Sequence, residues 1–212
     1  MRPIVAASDW KRRVFALYAA VRAEPDPARA AAGWRAARDD LFARHPQSPL
    51  PAARRDEFRG LAYFPIDPAA RVTAEVRPAE RRRFEFEASA GEPMAFVRFA
   101  VARFALGEAE CELELYWLDA YGGGLFVPFA DATSGAETYG AGRYLLDTVK
   151  GADLGTESGR LVLDFNLAYS PSCSYDPRWA CPLTPPANRL SVPVRAGERH
   201  VEDITAEYAR AA

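Results

Sequence analysis

Two cysteines near the end of the chain have the side chains best suited to nucleophilic or redox chemistry. Cys173 and Cys181 are separated by seven residues within a proline-rich stretch. A thiolate is a strong nucleophile, and two neighbouring thiols can form a disulfide. Cys173 is therefore the candidate nucleophile or redox thiol of an enzyme of the hydrolase or oxidoreductase type. The sequence leaves two alternatives open, a disulfide and a pair of buried structural thiols.

Metal chemistry is not indicated at these cysteines. Their spacing exceeds the roughly two to four residues between the sulfur ligands of common zinc sites. His45 and His200 are the only histidines of the chain, and both lie outside this segment. The chain contains no Gly-x-Ser-x-Gly elbow, no P-loop and no His-Glu-x-x-His motif. We therefore expect no metal and no cofactor.

A polar, glycine-rich loop is the second candidate for a functional site. The segment 131–144, DATSGAETYGAGRY, places Tyr139, Arg143 and Tyr144 beside glycines that allow unusual backbone conformations. Arg143 is predicted to anchor an anionic ligand, because a guanidinium binds carboxylates and phosphates with paired hydrogen bonds. The alternative is a structural loop whose polar groups satisfy one another.

The stretch LDFNLAY contributes three further candidate ligand-binding residues. As a strand, it would place Asp164 and Asn166 on one face and Tyr169 on the other. A carboxylate and an amide about 7 Å apart along a strand can hold a small polar molecule between them. In the alternative interpretation, both side chains brace the proline-rich loop by binding its backbone groups.

The remaining composition excludes several classes of function. The formal net charge of −2 does not favour binding to nucleic acid or to an anionic membrane. No stretch approaches the roughly 20 apolar residues of a membrane span, and charged residues interrupt the N-terminus where a signal peptide would be apolar. A cytoplasmic location is expected. The expected partner is a small-molecule ligand, and a homodimer is left open.

Helical spacing dominates the first part of the chain. Residues 1–50 predict a helical pair, the first helix capped by Ser8 and the second beginning at Asp26 and Pro27. This pair is predicted to be an appendage to a larger domain. One hypothesis is that it presents Trp10 and Trp34 to a partner chain.

From residue 51 onward, alternation with a period of two predicts strands. In ECELELYW, Cys111, Leu113, Leu115 and Trp117 share the apolar face. Hairpins without intervening helices predict an antiparallel sheet, so residues 51–212 are predicted to form a mainly β domain. We expect about eight strands curled into a β-barrel or sandwich. The proline-rich segment would form a rigid wall over one end, and a short helix is left open for the last twelve residues.

Several unusual blocks then carry a family resemblance. They are YFPIDP, TYGAGRY and the segment FNLAYSPSC, which continues to NRL. In these blocks the chain resembles the bacterial and archaeal domain-of-unknown-function family 1684, from about the second helix to Glu198. The resemblance implies no established activity. Ser170 departs from the Tyr-Asn-Pro expected of the family, so a ligand contact by that amide would be incomplete here.

The sequence thus favours a small-molecule binding protein. The pocket would lie at one end of the sheet, between the glycine-rich loop and the proline-rich wall. Its predicted polar lining consists of Tyr139, Arg143, Tyr144, Asp164, Asn166 and Tyr169. An enzyme that uses Cys173 is the alternative function.

Overall fold

Two helices lead the chain in the computed structural model, which describes residues 3–200. Helix α1 spans Pro3–Ala23 and α2 spans Pro27–Arg44. Helix α1 begins before Ser8, so the prediction of a cap at that residue is wrong. None of the helices in residues 3–200 is long and apolar enough to cross a membrane. The last twelve residues, for which a short helix was left open, lie outside the described part.

Helix α2 begins where the sequence predicted. The carboxylate of Asp26 accepts hydrogen bonds from the backbone N–H groups of Ala28 and Arg29, and Pro27 occupies the first helical position. A side-chain acceptor at this point satisfies N–H groups that have no partner inside the helix. The prolines at 25 and 27 therefore separate two helices that pack against each other.

Seven strands form one antiparallel sheet that curls into half a barrel. Its strand order is β5-β4-β3-β2-β1-β7-β6. The strands are β1 Arg71–Phe86, β2 Met94–Leu106, β3 Ala109–Leu118, β4 Leu125–Phe129, β5 Arg143–Asp147, β6 Thr156–Glu157 and β7 Arg160–Asp164. The predicted class, mainly β with an N-terminal helical pair, is confirmed.

Some stretches of alternating sequence do not form separate strands. The stretches RVTAEV and FEFEA belong to one long strand, β1, whose register against β2 shifts between Pro78 and Arg82. A bulge of this kind lets a long strand bend without ending. Strand β5 arises from the end of the predicted glycine-rich loop, whereas residues 189–195 form no strand and add only a bridge from Arg189 to Ala130.

The sheet buries apolar residues on both faces. One face carries the main core, which includes Leu113 and Leu115 of β3. The opposite face carries an aromatic cluster, formed by Phe86, Phe96, Tyr116, Phe126 and Tyr144. Trp117 was predicted to be buried beside Leu115, but it is 47% exposed and Tyr116 is buried instead. The alternation therefore identifies the two faces, although not where the covered part of each face ends.

The helices complete the main core rather than lying beside it. Tyr18 of α1 and Trp34 of α2 belong to the same buried cluster as Leu113, Leu145 and Leu163 of the sheet. Trp34 is only 1% exposed, so the hypothesis that it is presented to a partner chain is wrong. A helix-end cluster lies nearby and consists of Phe42, Leu50, Leu61 and Tyr175.

The proline-rich segment is irregular but firmly attached to the sheet. Leu183 N–H donates to the carbonyl of Glu87 at 2.8 Å, and the buried Asn188 side chain donates to the carbonyl of Pro128 at 2.7 Å. Short 3₁₀ turns supply further local hydrogen bonds; they span Phe165–Leu167, Ser172–Ser174 and Pro186–Asn188. Buried backbone without regular structure must find such partners. The segment thereby covers the aromatic cluster, with Pro182 over Tyr144.

Candidate ligand cavity between the helices and the sheet

A cavity of about 90 Å³ lies where the main core, the aromatic cluster and the helix-end cluster meet. Trp34 from the main core, Tyr144 from the aromatic cluster and Phe42 from the helix-end cluster all line it. The start of the proline-rich segment, residues 170–172, closes one side. The void therefore lies at the junction of three separately packed groups of side chains.

Arg38 of α2 is the charged residue of the cavity wall. Its guanidinium lies over the rings of Trp34, Phe42 and Tyr169, with the central carbon 4.8, 5.0 and 5.3 Å from the three centroids. Aromatic faces attract a cation that has been removed from water. Although burial opposes the charge, Tyr63 and Glu198 raise the pKa of Arg38 above its usual value. Arg38 is therefore a permanent cation in an aromatic enclosure.

Only one nitrogen of Arg38 makes hydrogen bonds. Nη1 donates to Glu198 Oε2 at 2.7 Å and to the hydroxyl of Tyr63 at 3.1 Å. Its Nε and Nη2 groups form no hydrogen bond within residues 3–200, although the side chain is only 10% exposed. Together these two groups form the edge of the guanidinium that binds a carboxylate with two parallel hydrogen bonds.

Two further polar groups of the wall also have no partner. Tyr18 and Trp34 line the cavity, and neither the Tyr18 hydroxyl nor Trp34 Nε1 makes a hydrogen bond in the described part of the chain. The indole N–H is near enough to the hydroxyl to act slightly on its pKa, which burial raises. A buried donor without an acceptor costs about 1–3 kcal/mol, so such groups need an explanation.

Tyr144 and Tyr169, two of the predicted ligand-binding residues, are brought together here. Their backbones pair across β5 and the proline-rich segment, with N–H to carbonyl distances of 2.8 and 3.1 Å. Both side chains line the cavity, and burial raises both phenol pKa values. Lys150 lines the same cavity while its side chain is 60% exposed, which places it at the mouth. The binding role of the tyrosines stays a prediction.

Arg143 is held elsewhere, in a closed polar network. Its side chain has no exposed surface, and Nη2 donates to Asp131 Oδ2 at 2.9 Å. The guanidinium also donates to the carbonyls of Val194, Ala196 and Glu198, while its Nε is sealed in without a partner. Arg143 therefore attaches the C-terminal segment to the sheet, and its role as the anchor of an anionic ligand stays a prediction.

Asp164 and Asn166 act as braces on another side of the sheet. Strand β7 ends at Asp164, whose Oδ1 accepts hydrogen bonds from Asn166 N and Nδ2 at 2.9 and 3.0 Å. The Asn166 amide also exchanges two hydrogen bonds with the backbone of Asp67. Burial raises the pKa of Asp164. The observed contacts of both residues are thus hydrogen bonds to neighbouring backbone and side-chain groups. Neither residue lines the cavity beside Arg38.

Tyr139, the remaining predicted ligand-binding residue, lies beside the cysteines. Its hydroxyl is 3.9 Å from the sulfur of Cys173. The glycine-rich loop reaches this position because Gly142 has a φ of +94° and packs where a Cβ would lie 2.6 Å from the carbonyl oxygen of Phe129. The predicted contact between the glycine-rich and proline-rich segments is thus present, but without Arg143.

Sequence reasoning missed Arg38, although a signal for it existed. Arg38 lies four residues after Trp34 and four before Phe42, and therefore on the buried stripe of α2. A charged residue on such a stripe is rarely buried unless it is paired. Its partner, Glu198, is 160 residues away in the sequence. No local pattern connects the two positions.

These features define a class of protein: a curled antiparallel sheet closed on one side by a helical pair, with a small, largely aromatic cavity between them. The family model described as "Protein of unknown function (DUF1684)" matches residues 56–199, so the chain belongs to the DUF1684 family. The match begins after α2. The cavity therefore combines residues from the matched range with residues of the helices that precede it.

A solved structure supports the same architecture. The solution NMR structure of an uncharacterized protein of Haloarcula marismortui is 37% identical in sequence, with a TM-score of 0.57. The similarity covers 78% of this chain and 90% of that chain. No curated protein matches the sequence.

Proposed function

We propose that the protein binds a small anionic molecule, such as a short carboxylate, in the cavity beside Arg38. The observation that carries this proposal is the unpaired Nε–Nη2 edge of a buried guanidinium that lines an aromatic cavity. A buried cation is stable only when its donors are satisfied, and a carboxylate satisfies this edge with two hydrogen bonds.

The other polar groups of the wall favour the same ligand chemistry. The Tyr18 hydroxyl and Trp34 Nε1 can both donate, and both lack an acceptor in the described part of the chain. Lys150 adds a second cation at the mouth, although Asp147 Oδ2 lies 3.4 Å from its Nζ. A wall rich in unused donors fits a ligand rich in acceptors.

The size of the cavity limits the ligand. A volume of about 90 Å³ is well below the roughly 300–1,000 Å³ of pockets that bind drug-sized ligands. Acetate or propionate is therefore the scale of molecule that fits without movement of the helices. A larger ligand would have to extend past Lys150.

Glu198 sets the strength of this binding. Its carboxylate already balances the charge of Arg38, so a bound anion gains less from Coulomb attraction than it would beside an isolated cation. Burial raises the pKa of Glu198. Protonation of Glu198 would remove the competing charge, and we expect anion affinity to increase as the pH falls.

A graded series of ligands tests the proposal. Formate, acetate, propionate, butyrate and benzoate are each titrated into the purified protein by isothermal calorimetry, with thermal unfolding as a second measurement. We expect affinity to peak among the short acids and to fall at benzoate. Native mass spectrometry of protein purified without added acid would detect a retained ligand.

Arg38→Lys and Arg35→Lys form a matched pair of variants. Arg35 is on the same helix and also stacks on a ring, 4.6 Å from the Tyr63 centroid, but it does not line the cavity. Lysine keeps the charge and lacks the two-pronged edge. Arg38→Lys should weaken binding at least tenfold while Arg35→Lys leaves it unchanged. Equal effects of the two variants, or no binding by the wild type, would refute the proposal.

The alternative function, an enzyme that uses Cys173, divides into two forms. A hydrolase needs a base that activates the nucleophile. The side chains that hydrogen-bond the Cys173 sulfur are Cys181, Ser89 and Tyr139, none of which is a histidine. Of the two histidines, His45 pairs with Asp9 at 3.1 Å, and the ring of His200 lies beside that of Tyr139, with 5.9 Å between the ring centroids. The contact between two thiols favours the redox form over the hydrolase.

A further inference from the structure

We propose that Cys173 and Cys181 form a redox-active pair that exchanges with small disulfides, with Cys173 as the attacking sulfur and Cys181 as the resolving sulfur. This activity is separate from ligand binding at Arg38. The pair lies in the proline-rich segment, next to the glycine-rich loop.

The two side chains are neighbours in the structure. Both cysteines are free thiols, and each is near enough to the other to act on its pKa. The same pocket of the fold contains the Tyr139 hydroxyl, 3.9 Å from the sulfur of Cys173. Both backbone polar groups of Cys181 are bound to Ser89. The Cys181 N–H donates to Ser89 Oγ at 3.0 Å, and the Cys181 carbonyl accepts from Ser89 N at 2.9 Å. Cys181 is thus fixed in place beside a second thiol, as the resolving member of a disulfide-forming pair must be.

The two cysteines also differ in access. Cys173 is half-buried, whereas Cys181 is 2% exposed. A small disulfide can therefore reach Cys173 before it can reach Cys181. The proposed reaction requires this order, because Cys181 can attack only after Cys173 has formed the mixed disulfide.

The surrounding donors favour a thiolate at Cys173. Hydrogen bonding from Cys181, with smaller contributions from Ser89 and Tyr139, lowers the pKa of Cys173 to about 6. The Ser89 hydroxyl has one proton, which it directs to the carbonyl of Trp179 at 3.1 Å. Cys181 and Tyr139 are thus the donors with protons available for Cys173.

The reaction balances in two steps. The Cys173 thiolate attacks one sulfur of a small disulfide, forms a mixed disulfide and releases one thiolate. Cys181 then attacks the Cys173 sulfur, its proton passes to the departing sulfur, and a Cys173–Cys181 disulfide remains. Starting from the Cys173 thiolate and the Cys181 thiol, the protein loses two electrons and one proton, and the small disulfide becomes one thiolate and one thiol. Relative to two protonated thiols, the protein has lost two hydrogens.

The high pKa of Cys181 is consistent with the second step. The hydrogen bond to Cys173 is the first cause that raises it, followed by burial. Once Cys173 is part of a mixed disulfide, its negative charge is gone, and Cys181 no longer has to donate to it. The Cys181 thiol is therefore freed from its hydrogen bond at the second step, in which it acts as the nucleophile.

Mass spectrometry with glutathione disulfide as the probe tests the pair. Wild-type protein should lose two hydrogens in mass, and peptide mapping should recover a Cys173–Cys181 link. Cys181→Ser should keep one glutathione on Cys173, because the resolving sulfur is missing. Cys173→Ser should gain none. Cys111→Ser is the matched control, since burial raises the pKa of Cys111.

Alkylation gives an independent measure in the wild-type protein. Iodoacetamide at pH 7 should modify Cys173 at least tenfold faster than Cys111 in the folded state. Equal rates, or glutathione retained at Cys111 instead of Cys173, would overturn the proposal. Absence of the mapped link in the oxidised wild type would overturn it as well. Neither result bears on carboxylate binding at Arg38.

Discussion

Arg143 and Arg38 are both buried arginines paired with a carboxylate, but they occupy opposite kinds of surroundings. Arg143 has no exposed surface and donates to Asp131 and to three backbone carbonyls. Arg38 retains 10% exposure and donates from one nitrogen only, to Glu198 and Tyr63. Almost every donor of Arg143 is therefore hydrogen-bonded within the protein. In Arg38, the Nε–Nη2 edge of the guanidinium makes no hydrogen bond within the described residues.

The difference teaches how to separate a structural charge from a binding charge. Burial alone does not distinguish them, because both side chains are removed from water. What distinguishes them is the number of guanidinium N–H donors that have no acceptor within the protein. On this criterion Arg38 keeps donors that a ligand could use, whereas the donors of Arg143 are mostly used within the protein.

The largest effect is expected from Arg143→Met. The substitution leaves the Asp131 carboxylate buried without its cation and frees three carbonyls at once. A loss of about 3–5 kcal/mol in the free energy of unfolding is expected from breaking a buried ion pair. Urea unfolding measures it. A loss below about 1 kcal/mol, within the range of surface ion pairs, would contradict the closed network.

Arg38→Met should cost less, at about 3 kcal/mol, the lower end of that range. Fewer hydrogen bonds are lost, and Glu198 can take up a proton because burial has raised its pKa. Adding Glu198→Gln to the variant should restore part of the stability without restoring ligand binding. If the double variant is less stable than Arg38→Met, Glu198 has a second role in folding.

Smaller losses of stability are expected from two tyrosine variants at the cavity wall. The Tyr144 hydroxyl donates to the carbonyl of Pro182, so Tyr144→Phe should cost about 1–3 kcal/mol by leaving that carbonyl unsatisfied. The Tyr169 hydroxyl makes no hydrogen bond within the described residues, so Tyr169→Phe should stay within about 0.5 kcal/mol. Thermal unfolding of both variants is the measurement. Equal losses would show that Tyr169 has a partner in solution.

The last comparison concerns pH. Because the folded-state pKa of Cys173 is lowered to about 6, the folded protein binds fewer protons than the unfolded chain between pH 6 and the ordinary thiol pKa of about 8.5. This contribution to stability is complete above pH 8.5 and is lost as the pH falls through 6. Cys173→Ser should remove that part of the pH dependence of unfolding. An unchanged dependence would mean that Cys173 titrates normally.

Much of the architecture could be predicted because it depends on local patterns. Asp26 and Pro27 mark the start of α2 through the hydrogen-bonding needs of any helix end. The alternation in β3 places Leu113 and Leu115 on the covered face. Trp117, two residues further along the same face, is nevertheless 47% exposed.

The site was harder to predict, since its members come from distant parts of the chain. Tyr144 and Tyr169 were predicted as ligand-binding residues and do line a cavity, yet the wall opposite them comes from the helices. The helical pair was treated as an appendage, and Arg38 was therefore not considered. The cysteines were recognised from their chemistry, whereas their mutual contact depends on how Ser89 fastens Cys181.

What the sequence determined by itself is the class of fold: periods of 3.6 and 2 decide which segments are helix and strand, and they depend on neighbouring residues alone. Only the tertiary structure decided which arginine is free to bind. Arg143 meets carbonyls 51 to 55 residues away, and Arg38 meets a carboxylate 160 residues away. Folding brings the hydrogen-bond acceptors of a buried arginine together from distant parts of the chain. The number of its donors that stay unpaired therefore cannot be read from the local sequence.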